Sequence, residues 1–189
     1  MLLYKLSQMG IGGNFYNAIL AMFRNPKSRV ILNQYSTEYF DCPIGVKQGD
    51  CISATLFAIF INDLAVQIKE SNIGIDLSKH IDITLTNISQ EALFVNILLY
   101  ADDIVCMAES EIDLQQLLDI VENWCRKWRL EVNLTKTNIL HVRPKRRQQS
   151  KFMFIFNFRP VDYCICYRYL GALWNHLVCL KLTIEGSIG

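Results

Sequence analysis

The most regular pattern in the chain is helical. Leu114, Leu117, Leu118, Val121, Trp124, Cys125 and Trp128 recur at three- and four-residue spacing, which predicts an amphipathic helix with Ser110 as its N-cap. Acidic residues occupy its first turn, and Arg126, Lys127 and Arg129 its end, as the helix dipole favours. A second helix, from about Ser53 to Lys69, is apolar on almost every side through Leu56–Ile61, so extensive burial is expected. The first 26 residues predict two short helices parted by Gly10, Gly12 and Gly13, the second capped by Asn14 and closed by Pro26. The β-prone runs Arg29–Leu32 and Thr37–Phe40 predict a hairpin, and "PIGVKQGDCIS" a loop. Two further strands, Leu93–Tyr100 and Ile104–Ala108, flank a pair of acids. "LEVNLTKTNILHV", "FMFIFNF" and "YCICYRYLGALW" carry the remaining strand character. Helices and hairpins in mixed order, without alternating βα units, predict an α+β fold.

Composition narrows this. A chain of 189 residues, 51% hydrophobic, is long enough for one domain with a real core. No apolar run reaches the roughly 18 residues of a membrane span, so no membrane association is expected. The N-terminus lacks the pattern of a signal peptide. Seven scattered cysteines without a CxxC pair fit reduced thiols in an intracellular protein, with nucleus and cytoplasm both open. Cys164-x-Cys166 is a minor candidate for half of a metal site; two thiols on one strand face is the simpler reading.

The net charge of +1 hides a segregation. Residues 1–125 carry 7 Lys/Arg against 15 Asp/Glu, whereas residues 126–151 carry 9 against 1. An acidic body followed by a basic stretch suits a cation site beside a polyanion-contacting segment. A solvated helix end and loop is the plainer alternative.

The acids in "LLYADDIVCM" sharpen the choice. Neighbours on a regular strand point to opposite faces, so one of Asp102 and Asp103 would enter the core unless the pair sits at a turn. "YADDI" therefore predicts a β-hairpin presenting both acids at its tip. Two adjacent carboxylates resist joint ionisation unless a cation neutralises them, and the hard cation suited to oxygen ligands is Mg²⁺. A solvent-exposed acidic tip is the competing reading.

"LLYADDIVCMAES" resembles the YxDD catalytic hairpin of reverse transcriptases. "IGVKQGDCISATLFAIFINDL" resembles that family's second palm motif. The helix leading into "LEVNLTKTNIL" is similar to the fourth, and "YRYLGALW" to the fifth, which grips the primer. The versions are closest to polymerases of non-LTR (LINE-type) retrotransposons, and the likeness spans residues 1–175, leaving 176–189 as a divergent tail. The resemblance implies a palm-like antiparallel sheet with packed helices, and RNA-directed DNA synthesis with two Mg²⁺ ions, Mn²⁺ being a substitute. It implies an RNA template, a DNA primer and dNTPs as partners. Asp102 and Asp103 would be metal ligands and catalytic residues. Lys136 would lie near the triphosphate and protonate the leaving pyrophosphate. Tyr100 would lie beside the primer end, Lys47, Gln48 and Gly49 would contact template, nucleotide or phosphate, and Leu170 and Gly171 would pack at the primer grip. Arg143, Lys145, Arg146 and Arg147 would touch nucleic-acid backbone; "RPKRR" also reads as a nuclear-import patch.

The sequence departs from the family at identifiable points. The family's first-motif aspartate and its fingers are expected before Met1, and its thumb after the chain's end. Asp41 and Asp50, the nearest upstream acids, belong to the second-motif neighbourhood, and Ala54 stands where proline is usual. A sheet lacking its first catalytic strand is expected to leave an open edge beside the hairpin. Two readings follow: a polymerase palm that needs its missing parts or another chain, and a non-catalytic retroelement remnant with at most weak nucleic-acid binding through residues 126–151.

Overall fold

A computed structural model describes residues 1–42, 52–79, 94–175 and 181–187, in two compact units, Met1–Asn62 and Asp63–Ile188. It confirms a mixed helical and mainly antiparallel class.

In the first unit, α1 (Leu2–Gln8) and α2 (Gly13–Phe23) bury Leu6 and Ile19 against Leu56, and Leu3, Ile11, Tyr16 and Phe23 pack around them. The N-cap of α2 is Gly12, in extended conformation, and no side chain bonds the cap. Asn14, expected as the cap, lies inside the first turn; the glycine pair moves the helix start two residues earlier. Lys5 is buried, yet its Nζ donates to the Phe60 carbonyl and lies 4.1 Å from the centroid of the Phe60 ring. Those two partners replace part of the cation's hydration. Strand β1 (Lys27–Ser28) pairs with β4 (Phe40–Asp41) around a tighter hairpin of β2 (Ile31–Leu32) and β3 (Tyr35–Ser36). The hairpin is thus real, but its second arm starts two residues before the predicted Thr37.

Helix α3 (Ser53–Glu70) runs close to its predicted span. It is not buried all round. Leu56, Phe60, Ile61, Leu64 and Ile68 form a buried stripe, while Ala54, Ala58, Asn62 and Val66 are exposed. Alanines at the outward positions keep the exposed face nearly free of large apolar side chains, which the hydrophobic count alone concealed.

The second unit is built on one sheet. After β5 (Ile75–Asp76) and β6 (Phe94–Val95), which pair together, come β7 (Ile97–Tyr100), β8 (Asp103–Cys106), helix α4 (Glu111–Trp128), β9 (Glu131–Val132) and β10 (Asn138–Leu140). The hairpin β11 (Phe154–Phe156) and β12 (Arg159–Val161) follows, then β13 (Tyr163–Cys164), the hairpin β14 (Cys166–Tyr169) and β15 (Ala172–Asn175), and β16 (Lys181–Ser187). The sheet order is β13-β10-β16-β8-β7, with β9 also pairing β16. Among the described residues only the β10–β13 pair is parallel.

The seven residues that predicted α4 are the ones it buries, and Ser110 caps it by accepting the Asp113 N–H at 3.1 Å. Its polar face is used too. Gln115 donates to the Ile155 carbonyl and accepts the Ile155 N–H at 2.8 and 2.9 Å, and Glu122 accepts the Asn157 N–H at 2.8 Å. Two helix side chains thereby satisfy the outer edge of β11, where a further strand could otherwise add.

The acidic hairpin lies at the end of the sheet: among the described residues β7 pairs with β8 alone, so the expected open edge falls on β7, while the other side of β8 is covered. Strand β16 pairs with β8 from Leu182↔Cys106 to Glu185↔Asp103, and on its other side with β10. Alternating polar and apolar residues in "KLTIE" are the strand signal for β16.

Because β16 lies between two strands, proline there removes a ladder donor that solvent cannot replace. Thr183→Pro is expected to lower stability by more than about 2 kcal/mol and to promote self-association, read by urea unfolding and light scattering. An unchanged unfolding midpoint would contradict the central placing of β16.

Candidate active site

The hairpin of β7 and β8 closes in two residues. Tyr100 pairs with Asp103, leaving Ala101 and Asp102 as the turn. Ala101 has φ of 50°, the left-handed region that primed hairpin turns demand and in which a Cβ is strained. This resolves the conflict posed by adjacent acids. Asp102 sits in the turn and is exposed, whereas Asp103 begins a strand and is half-buried. Tyr100, 61% exposed, lies directly opposite Asp103 and so on the same sheet face. Behind the tip, Ile104, Val105 and Cys106 are buried, and burial pushes the Cys106 thiol up to about 12. The hairpin's base is fixed at Asn96. Its carbonyl accepts the Met107 N–H at 2.9 Å, and its Nδ2 donates to the Ile68 carbonyl of α3 at 3.3 Å.

The fifth-motif residues form a second tight hairpin. Tyr169 pairs with Ala172 across Leu170 and Gly171, whose φ values of 48° and 81° give both central residues the left-handed conformation of a type I′ turn. Tyr169 was not singled out in the sequence. It is buried, and its phenol is held above its ordinary value by burial and then by the charge of Asp103, which places it near that carboxylate. The tyrosine next to "LG" was the available signal. Leu170 itself is 55% exposed in a strained conformation, a costly place for an apolar side chain without a contact to make.

Lys136 is exposed in a turn organised by Asn133. Asn133 Oδ1 accepts from Thr135 N at 3.1 Å, and its carbonyl accepts from both Lys136 N and Thr137 N at 3.1 Å. Asn138 opposes Thr183, two residues along β16 from Glu185, which opposes Asp103. The turn carrying Lys136 therefore leads into the sheet at the end where Asp103 lies, two strand spacings or roughly 10 Å across.

Lys47, Gln48, Gly49 and Asp50 lie outside the described residues. Asp41 is exposed in the first unit with Lys27 Nζ at 3.9 Å. Cys164 and Cys166 fall in different strands with a bend between them, not on one strand face. Among the described residues no three His, Cys, Asp or Glu side chains form a metal-holding group. Asp102 and Asp103 bring two carboxylates to one end of the hairpin, and Mg²⁺ commonly takes one or two while keeping positions for water and substrate phosphates.

Of the basic cluster, Lys145, Arg146 and Arg147 are exposed, while Arg143 is half-buried. Nearby His141 is held below its ordinary 6.5 by burial and by Arg143 and Arg147, against an opposing effect of Glu111. Glu111 is held below its ordinary 4.5, first by its own backbone N–H and then by the Ser150 hydroxyl.

The family follows from comparison with known proteins. The model of the reverse transcriptase (RNA-dependent DNA polymerase) family matches residues 2–172, and the chain belongs to that family. The Pol polyprotein of the type-1 retrotransposable element R2 from Nasonia vitripennis is 23% identical over 182 residues, 91% of this chain and 16% of that protein. The RNA-directed DNA polymerase of the mobile element jockey from Drosophila melanogaster is 23% identical over 193 residues, 99% of this chain and 18% of its own length. The chain thus spans less than a fifth of the curated relatives it matches. Family membership implies divalent metal and a nucleic-acid template and primer. No helix among the described residues is long and apolar enough to cross a membrane.

Two outcomes follow from this geometry. Leu170→Asn supplies the residue a type I′ turn prefers, so stability is expected to rise by about 0.5–1 kcal/mol, a gain of roughly 1–4 °C in melting temperature. A fall would contradict the turn assignment. His141 and Glu111 both have depressed folded values, so the folded chain binds fewer protons than the unfolded one as pH falls below 6.5 and then 4.5. Stability is therefore lost on acidification, through the histidine first. Between about pH 7.5 and about pH 5.5 the urea midpoint is expected to fall more for the natural chain than for His141→Gln, and equal falls would refute the histidine's part.

Proposed function

We propose that this chain is the palm of a LINE-type RNA-directed DNA polymerase and that the tip of the β7–β8 hairpin is its catalytic centre. The reading rests on one observation above all: a two-residue turn sets Asp102, Asp103 and Tyr100 together at the exposed tip of a hairpin whose second strand is buried. On this reading Asp102 and Asp103 hold Mg²⁺, or Mn²⁺ in its place, two ions in the complete site. A bound ion supplies activation of the attacking primer hydroxyl and charge neutralisation on the leaving pyrophosphate.

The protein's own groups do the rest. Tyr100 offers an aromatic face to the primer end and the paired base, on the face that Asp103 shares. Lys136 brings a cation to the same end of the sheet and donates a proton to the departing pyrophosphate. Leu170 and Gly171 hold the primer strand from the second hairpin, and Lys47, Gln48 and Gly49 contact template and nucleotide. Lys145, Arg146 and Arg147 meet phosphate backbone irrespective of sequence. RNA template, DNA primer and dNTPs are the partners, inside the cell.

Mg²⁺- or Mn²⁺-dependent incorporation of dTTP on poly(rA)·oligo(dT) tests this. Where incorporation is found, Asp102→Ala is expected to reduce it by at least about 100-fold, as removal of a metal ligand does. A folded chain with no incorporation would overturn the catalytic reading for these residues alone and leave nucleic-acid binding without chemistry.

A further inference from the structure

The basic stretch after β10 is closed by its own hydrogen bonds. Ser150 N–H donates to His141 Nδ1 at 2.9 Å, so an imidazole ring joins the two ends of residues 141–150. Within that span Arg143 donates from Nε to the Arg147 carbonyl at 3.1 Å and from Nη1 to the His141 carbonyl at 3.0 Å. The Arg147 N–H returns to the Pro144 carbonyl at 2.9 Å, completing a turn. The closing residues are anchored in turn: Ser150 Oγ accepts the Phe152 N–H at 3.1 Å, and the Tyr163 hydroxyl of β13 donates to the Phe152 carbonyl at 2.9 Å.

The four cations of this stretch are therefore not equivalent. Arg143 is half-buried and spends two donors on carbonyls inside the loop, whereas residues 144–149 are exposed. A planar guanidinium bridges two carbonyls in fixed geometry; an ammonium group does not. His141 accepts from Ser150 only as a neutral ring, because both nitrogens of the charged ring are donors. Arg143, Arg147 and Glu111 are the charges acting on it.

We propose that Arg143 and His141 are positioning residues that fold residues 141–150 into a preset cationic tip, on which Lys145, Arg146 and Arg147 alone meet the phosphate backbone of the bound nucleic acid. This rests on the polymerase reading above and reassigns Arg143 within it. A preset tip binds more tightly than a flexible basic segment because its ordering does not have to be met on association.

The test uses the whole chain, a fluorescent poly(rA)·oligo(dT) duplex as probe, and two readouts. Arg143→Lys and Arg143→Gln are both expected to weaken binding about five-fold without changing the dependence of log affinity on log salt. His141→Ala is expected to behave alike, and His141→Gln, whose amide oxygen can accept from Ser150, to stay near the natural chain. Lys145→Gln, Arg146→Gln and Arg147→Gln are each expected to lower the salt slope by about 0.7–0.9. The second readout needs no nucleic acid: trypsin, cutting after Lys145, Arg146 and Arg147, is expected to cleave both Arg143 variants and His141→Ala several-fold faster than the natural chain. Full affinity in Arg143→Lys with a reduced slope in Arg143→Gln would make Arg143 a phosphate contact and overturn the proposal, as would unchanged tryptic rates. If the triple glutamine variant binds as tightly as the natural chain while tryptic rates still respond to Arg143, the nucleic-acid reading of the tip fails and the clasp alone remains.

Discussion

The arrangement depends on a turn of two residues. With Tyr100 paired to Asp103, the chain has only Ala101 and Asp102 in which to reverse, and Ala101 accepts a left-handed backbone to do so. A longer loop would separate the carboxylates or let them reorient. This one fixes one acid in the turn and the other at the first strand position, at the end of a segment otherwise buried. The strain is of the order of 1 kcal/mol, offset by burial of Ile104, Val105 and Cys106 behind it.

Around that turn the sheet aligns the other chemistry of the proposal by register. Because β16 pairs with β8 and β10 at once, the end of β8 that holds Asp103 and the turn that holds Lys136 come to one end of the sheet. Tyr169 comes from a separate hairpin, its phenol held up by burial first and then by the charge of Asp103. Helix α4 contributes on both faces, with its apolar stripe in the core and Gln115 and Glu122 on the edge of β11. One helix thus supports the sheet and closes an edge.

Much of this was legible in the residues, for reasons that differ by element. Helix α4 could be read to the residue because its stripe, cap and charge polarity agree. The hairpin could be read because two adjacent acids within an apolar run have few stable places. The start of α2 was misplaced because Gly12 and Gly13 can adopt cap geometry that Asn14 was expected to supply. Helix α3 reads as more extensively buried than it is because alanines count as apolar while costing little when exposed. Strand β16 was missed because its partners are far away in sequence, and a short alternating segment is decided by pairing more than by propensity. The division of labour among Arg143, Lys145, Arg146 and Arg147 was invisible for a related reason: composition counts charges, and only geometry tells which of them the loop consumes.

The claim that the turn exists to hold a divalent cation is tested most directly by paramagnetic Mn²⁺ at substoichiometric levels, observed through backbone amide resonances of the folded chain. The account predicts that the signals of Ala101, Asp102, Asp103 and Ile104 broaden first, and that Asp103→Asn removes this selectivity while preserving the spectrum elsewhere. Broadening spread evenly over exposed acids such as Glu38, Asp41 and Glu109, with the hairpin no more affected than the rest, would contradict it.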